Sequence, residues 1–176
     1  MMVSHISFLI KCRRASAAAE MALVLPILIV LMFGSFELGN YFLNEHAVVK
    51  AVRDGARYAS RQSFSHFPCS SAGSGLSPGG TVTADTQSIT RTGQVTSGGS
   101  PRLASWQTNA GINVTYDCVT TNNNVDYAGV YAKQAFLPRV KVSVSNLAYS
   151  SLFQNVGILG SNLTLNAESQ AVVAGL

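Results

Sequence analysis

SAAAEMALVLPILIVLMFGSFELGNYFL, residues Ser16–Leu43, decides how the rest of the chain is read. From Met21 to Phe36 it carries no charge and is almost wholly apolar. With its small-residue and aromatic flanks it is long enough to cross a bilayer as one helix, which takes about 20 residues. Pro26 lies inside it, a kink that membrane helices tolerate better than soluble ones. Glu20, one step into the run, is its isolated charge. The run is longer than the core of a removable secretory signal, and no A-x-A cleavage site follows it closely, so the span is retained.

Lys11, Arg13 and Arg14 directly precede the span and set its direction. The positive-inside rule keeps them in the cytoplasm and sends the C-terminal part outward, against competition from Lys50, Arg53, Arg57 and Arg61. The expected location is the cytoplasmic (inner) membrane, single-pass, with the C-terminal domain periplasmic or extracellular. Cysteine usage agrees. Cys12 stays on the reducing side, while Cys69 and Cys118 are the only pair in the exported part and are expected to form a disulfide, the alternative being two free buried thiols.

At 176 residues, with 11% charged, there is room for one anchor and one modest domain. Of the 12 Lys and Arg, seven lie between Lys11 and Arg61 and the rest are scattered. No basic patch interleaved with aromatics exists, so nucleic acid is not an expected partner.

Working outward, the expected organisation is a leader over 1–15, the transmembrane helix 16–43, an amphipathic helical stem 44–62, and a β-rich exported domain 63–176. The stem carries two opposed stripes. Val48, Val52, Gly55 and Ala59 share one face, and Lys50, Arg53, Arg57 and Arg61 the other. The apolar stripe is expected on the domain. The basic one faces water, or meets lipid head groups or an acidic partner. Ser63–Gly80 and Thr92–Pro101 read as loops, with a short strand over Thr81–Ile89 between them. Ile112–Val119 and Arg139–Val144 alternate as strands, Asn122–Asn124 marks a turn, Leu152–Leu159 is a short helix or turn, and a last strand runs from Leu163 to about Val173. The fold class is α+β: a long N-terminal helix packed on a small antiparallel sheet.

Signatures of chemistry are thin. His5, His46 and His66 share no metal-ligand spacing, and Gly73–Gly80 lacks the Gly-Lys-Ser/Thr ending of a phosphate loop. Asp85, Asp117, Asp126 and Glu168 fall in the exported domain with nothing to mark a catalytic pair. No catalytic residue, cofactor site or metal site is expected, and the chain does not read as an enzyme.

Residues 13–60, RRASAAAEMALVLPILIVLMFGSFELGNYFLNEHAVVKAVRDGARYAS, closely resemble the N-terminus of TadE-like pseudopilins of the tight-adherence (Tad, or Flp) pilus systems. The resemblance rests on Ala17-Ala18-Ala19-Glu20, Ala22-Leu23-Val24-Leu25-Pro26, Glu37-Leu38-Gly39 and the run Ala51-Val52-Arg53-Asp54-Gly55-Ala56-Arg57-Tyr58-Ala59. Beyond Arg61 only the general layout is similar. The resemblance implies a pilin-like minor subunit in pilus assembly, cut by a prepilin peptidase between Ala15 and Ser16. Glu20 is then the fifth residue of the mature chain, the carboxylate pilins use in assembly. The implied partners are that peptidase, other pilins and the inner-membrane assembly machinery. Two departures stand out: Ala15 where Gly is usual, and Met21 where an aromatic is common. Glu37 is expected at the outer interface. The alternative is a membrane-anchored periplasmic binding or adhesion module outside any pilus.

Overall fold

The computed structural model describes residues 13–96, 98–121, 129–132, 134–153 and 163–175. Residues 1–12 of the expected leader 1–15, the expected Asn122–Asn124 turn, Asp126 and most of the Leu152–Leu159 segment lie outside the described residues, as do the side chains of residues 13–16. The chain divides into two compact units, Met1–Asn40 and Tyr41–Leu176, and helix α1 (Arg13–Ser60) contributes to both.

In the first unit α1 is apolar on every side and exposed on nearly every side. Leu23 is 74% exposed and Val30 70%. A helix that is hydrophobic all round is stable only when surrounded by protein or lipid. The described helix from Ala17 onward is long and apolar enough to cross a membrane, and only 6% of its most apolar window is buried. Pro26 lies inside the helix and has no N–H to donate to the Ala22 carbonyl.

The second unit is a four-stranded antiparallel sheet, β1 (Gly73–Leu76), β2 (Ile112–Thr120), β3 (Phe136–Ala148) and β4 (Thr164–Val172), in the spatial order β1-β2-β3-β4. Period-two alternation fixes the register. Ile112, Val114 and Tyr116 pair with Val144, Val142 and Val140 on the buried face. Asp117 pairs with Arg139 on the open face, where their side chains form an ion pair at 3.4 Å. The buried strand residues join Val48, Ala51, Val52, Ala56 and Ala59 of the stem in one core. Trp106 and Phe67 close it, Phe67 standing edge-on to the Tyr116 ring at 5.4 Å. Cys69 and Cys118 are disulfide-bonded, which ties the loop after the stem to the C-terminal part of β2 across 49 residues.

The segment expected as a strand over Thr81–Ile89 is instead helix α2 (Val82–Thr92). Its buried residues, Val82, Thr86 and Thr90, recur every fourth position and build one helical face. Asp85 sits in the first turn and Arg91 in the last, both matched to the helix dipole. Gly93 ends the helix with φ 80°, its N–H donating to the Ile89 carbonyl. Threonine and valine favour strands only as a half-buried pleated surface allows; here packing on the stem decides.

A second correction concerns β1, which lies inside the stretch read as loop. Gly73 and Leu76 pair with Cys118 and Tyr116, and the Gly75 N–H donates to Asp117 Oδ1 at 2.9 Å.

Candidate functional site

Of the residues singled out in the sequence, the expected cleavage pair, the assembly carboxylate and the basic stem face lie on or beside α1, whereas Cys69 and Cys118 lie in the loop after it and in β2. Ala15, Ser16 and Glu20 fall within the helix, and Glu20 is exposed. Four residues separate Ser16 from Glu20, just over one helical turn, so the two positions share a face. Glu37, expected at the outer interface, is buried and engaged within the chain.

The stem has the two faces its sequence calls for. Val48, Val52, Gly55 and Ala59 are buried, with Ala51 and Ala56 beside them. Lys50, Arg53, Arg57 and Arg61 are exposed on the other side.

Within the run Ala51–Ala59 each residue has a separate physical task. Asp54 accepts from Arg102 Nη2 at 2.7 Å, in a pair whose side chains are 33% and 21% exposed. Gly55 is a point of closest approach. A Cβ built there would lie 2.2 Å from Thr90 Oγ1 and 3.5 Å from Thr86 Cγ2, so any side chain would push α2 away. Thr90 is fully buried and held in place by its own bond, Oγ1 donating to the Thr86 carbonyl at 2.7 Å. Tyr58 reaches Asp85 Oδ2 at 3.4 Å, the same oxygen that accepts from Thr81 Oγ1 at 2.7 Å. Burial pushes the Tyr58 phenol above its ordinary range, and the neighbouring Asp85 charge adds to the shift. The motif is therefore a clamp: an ion pair, a glycine contact and a tyrosine that together seat α2 and the loop behind it against the stem. Sequence reasoning found the motif but not its partners Arg102, Thr86 and Thr90, because none of these carries a local signal of pairing.

Elsewhere in the second unit the carboxylates serve structure. Asp117 is held by Arg139 and the Gly75 amide. Glu168 is bound by Lys141 at 2.6 Å and by Gln170, and those donors hold its carboxyl below the usual carboxylate pKa range. Among the described residues no group of three His, Cys, Asp or Glu side chains gathers as a metal site would require.

Comparison with known proteins adds one finding. The family model described as TadE-like protein matches residues 15–57, which run from the foot of the apolar helix through Asp54, Gly55 and Arg57. No curated protein and no solved structure matches the chain. The similarity to TadE-like proteins is thus confined to residues 15–57, about a quarter of the chain.

Proposed function

We propose that this chain is a minor pilin, or pseudopilin, that takes part in assembling a Tad/Flp-type adhesive pilus in the cell envelope. The observation that carries the reading is the TadE-like match over 15–57, laid on a lipid-suited helix that continues into the stem of a small α+β unit.

In this reading the chain is inserted with its N-terminus in the cytoplasm, and a prepilin peptidase cuts between Ala15 and Ser16. The new ammonium at Ser16 and the Glu20 carboxylate then neutralise one another, within one chain or between staggered neighbours. A carboxylate at the bilayer centre costs about 2.5–3.5 kcal/mol, less near the interface, and a paired amine offsets that cost. Membrane helices of neighbouring pilins associate side by side, and the exported unit, residues 63–176, presents the surface used in initiation or display. The chain performs no reaction of its own.

The test is piliation. Cells lacking the chain should lose or shorten their pili, regain them with the wild-type chain, and fail to regain them with Glu20→Ala. Unchanged pili in the deletion strain would favour the other reading, an anchored periplasmic binding or adhesion module.

A further inference from the structure

The charge bookkeeping of the second unit is lopsided. From Asp54 onward every described carboxylate is held by a donor of its own chain: Asp54 by Arg102, Asp85 by Thr81 and Tyr58, Asp117 by Arg139, Glu168 by Lys141. Lys50, Arg53, Arg57 and Arg61 are different. All four are exposed, and their side chains make no ion pair or hydrogen bond among the described residues. They form one row on the stem, opposite the face that packs into the core. Like charges at these spacings repel by a few tenths of a kcal/mol per pair, a repulsion that an acidic surface laid on the row would relieve.

Two candidate neutralisers fit poorly. The chain's own bilayer is one. Helix α1 rises about 1.5 Å per residue, so Lys50 comes about 10 Å beyond Leu43, the end of the expected transmembrane helix, Arg53 about 15 Å and Arg57 about 21 Å. An ordinary helix tilt of about 20° changes these heights little. Surface potential decays over about 8 Å from the head groups at physiological salt, so Lys50 and Arg53 can feel it, whereas Arg57 and Arg61 stand beyond it. A second copy of the chain is the other candidate. Its described carboxylates from Asp54 onward are already occupied, Glu45 offers one charge against a row of four, and its own stem would bring a matching basic row.

We infer that this row is the docking surface for a different protein, one that presents a row of carboxylates at helical spacing, such as the acidic face of another subunit's stem. The steps of three, four and four residues from Lys50 to Arg61 match a helix with Glu or Asp at i, i+3, i+7 and i+11. This deepens the assembly reading by naming the chemistry of the partner, and its test is independent of piliation.

The experiment uses the full chain in detergent micelles and two helical peptides of equal composition. One carries four Glu in a single row at that spacing, the other has them spread around the helix. Nanodiscs containing anionic phospholipid form a third arm. The row peptide should bind at least several-fold more tightly than the spread one, with affinity falling steeply as salt rises. Replacing Arg53, Arg57 and Arg61 by Glu should weaken it roughly tenfold or more, from three exposed pairs. The triple Gln variant should show the same direction, and both variants should melt as the wild type does. Equal binding of the two peptides, undiminished binding to a folded triple variant, or binding to anionic nanodiscs alone would each overturn the inference.

Discussion

Gly55→Ala is the most searching perturbation of the clamp. The added Cβ would sit 2.2 Å from Thr90 Oγ1, about 1 Å inside the closest contact that real side chains tolerate. Thr90 cannot swing aside cheaply, because it is fully buried, β-branched and bonded to the Thr86 carbonyl. The substitution must therefore move α2 or strain it, at about 1–3 kcal/mol. Alanine regains up to about 1 kcal/mol of helix propensity over glycine. The net expectation is a loss of about 1–2 kcal/mol, read from thermal or urea unfolding of the full chain in detergent with the disulfide intact. Thr90→Ala removes the obstructing oxygen, so Gly55→Ala/Thr90→Ala should be less destabilised than the sum of the single variants, by about 1 kcal/mol or more. A Gly55→Ala protein as stable as the wild type, or a double variant that is merely additive, would refute the close approach and with it the account of why glycine stands there.

Three further outcomes follow from the same contacts. Cys69→Ala/Cys118→Ala should cost about 4 kcal/mol, the chain-entropy value for a 49-residue separation, and unfolding that is indifferent to reductant would count against it. Asp54→Asn, which discharges a mostly buried pair, should cost about 1 kcal/mol by the same unfolding assay, with Arg102→Ala similar. The phenols of Tyr58 and Tyr116 are both raised from the ordinary 10.0, so each holds its proton more tightly when folded than unfolded. Their contribution is complete below pH 10.0 and drains away as pH rises through the folded values, so melting temperature should fall above that point and Tyr58→Phe should blunt the fall.

Much of this fold was legible because the two strongest patterns are long. The apolar run and the opposed stripes from Val48 to Arg61 leave a helix as the one geometry that separates them. The alternation in Ile112–Val119 and Arg139–Val144 likewise fixes which valines face inward. The Thr81–Ile89 segment misled because threonine and valine suggest pleat, whereas the deciding feature is Val82, Thr86 and Thr90 at four-residue spacing with Gly93 as stop signal. β1 carried no signal at all: Gly73-Ser74-Gly75-Leu76 has neither alternation nor propensity, and becomes a strand by pairing with β2. The clamp was half visible. Asp54, Gly55 and Tyr58 stood in a recognisable motif, but Arg102 lies 48 residues from Asp54, and long-range ion pairing leaves no trace in a single sequence.

The central claim, that the chain is a processed pilin-like subunit, is met most directly by one measurement. The protein is purified from its native membrane, and its intact mass and N-terminal residue are determined. The account predicts a mature chain beginning at Ser16 with a free amine, five positions from Glu20 by inclusive count. A chain still beginning at Met1 or Met2 would contradict it, and would leave an anchored accessory or binding protein as the better description.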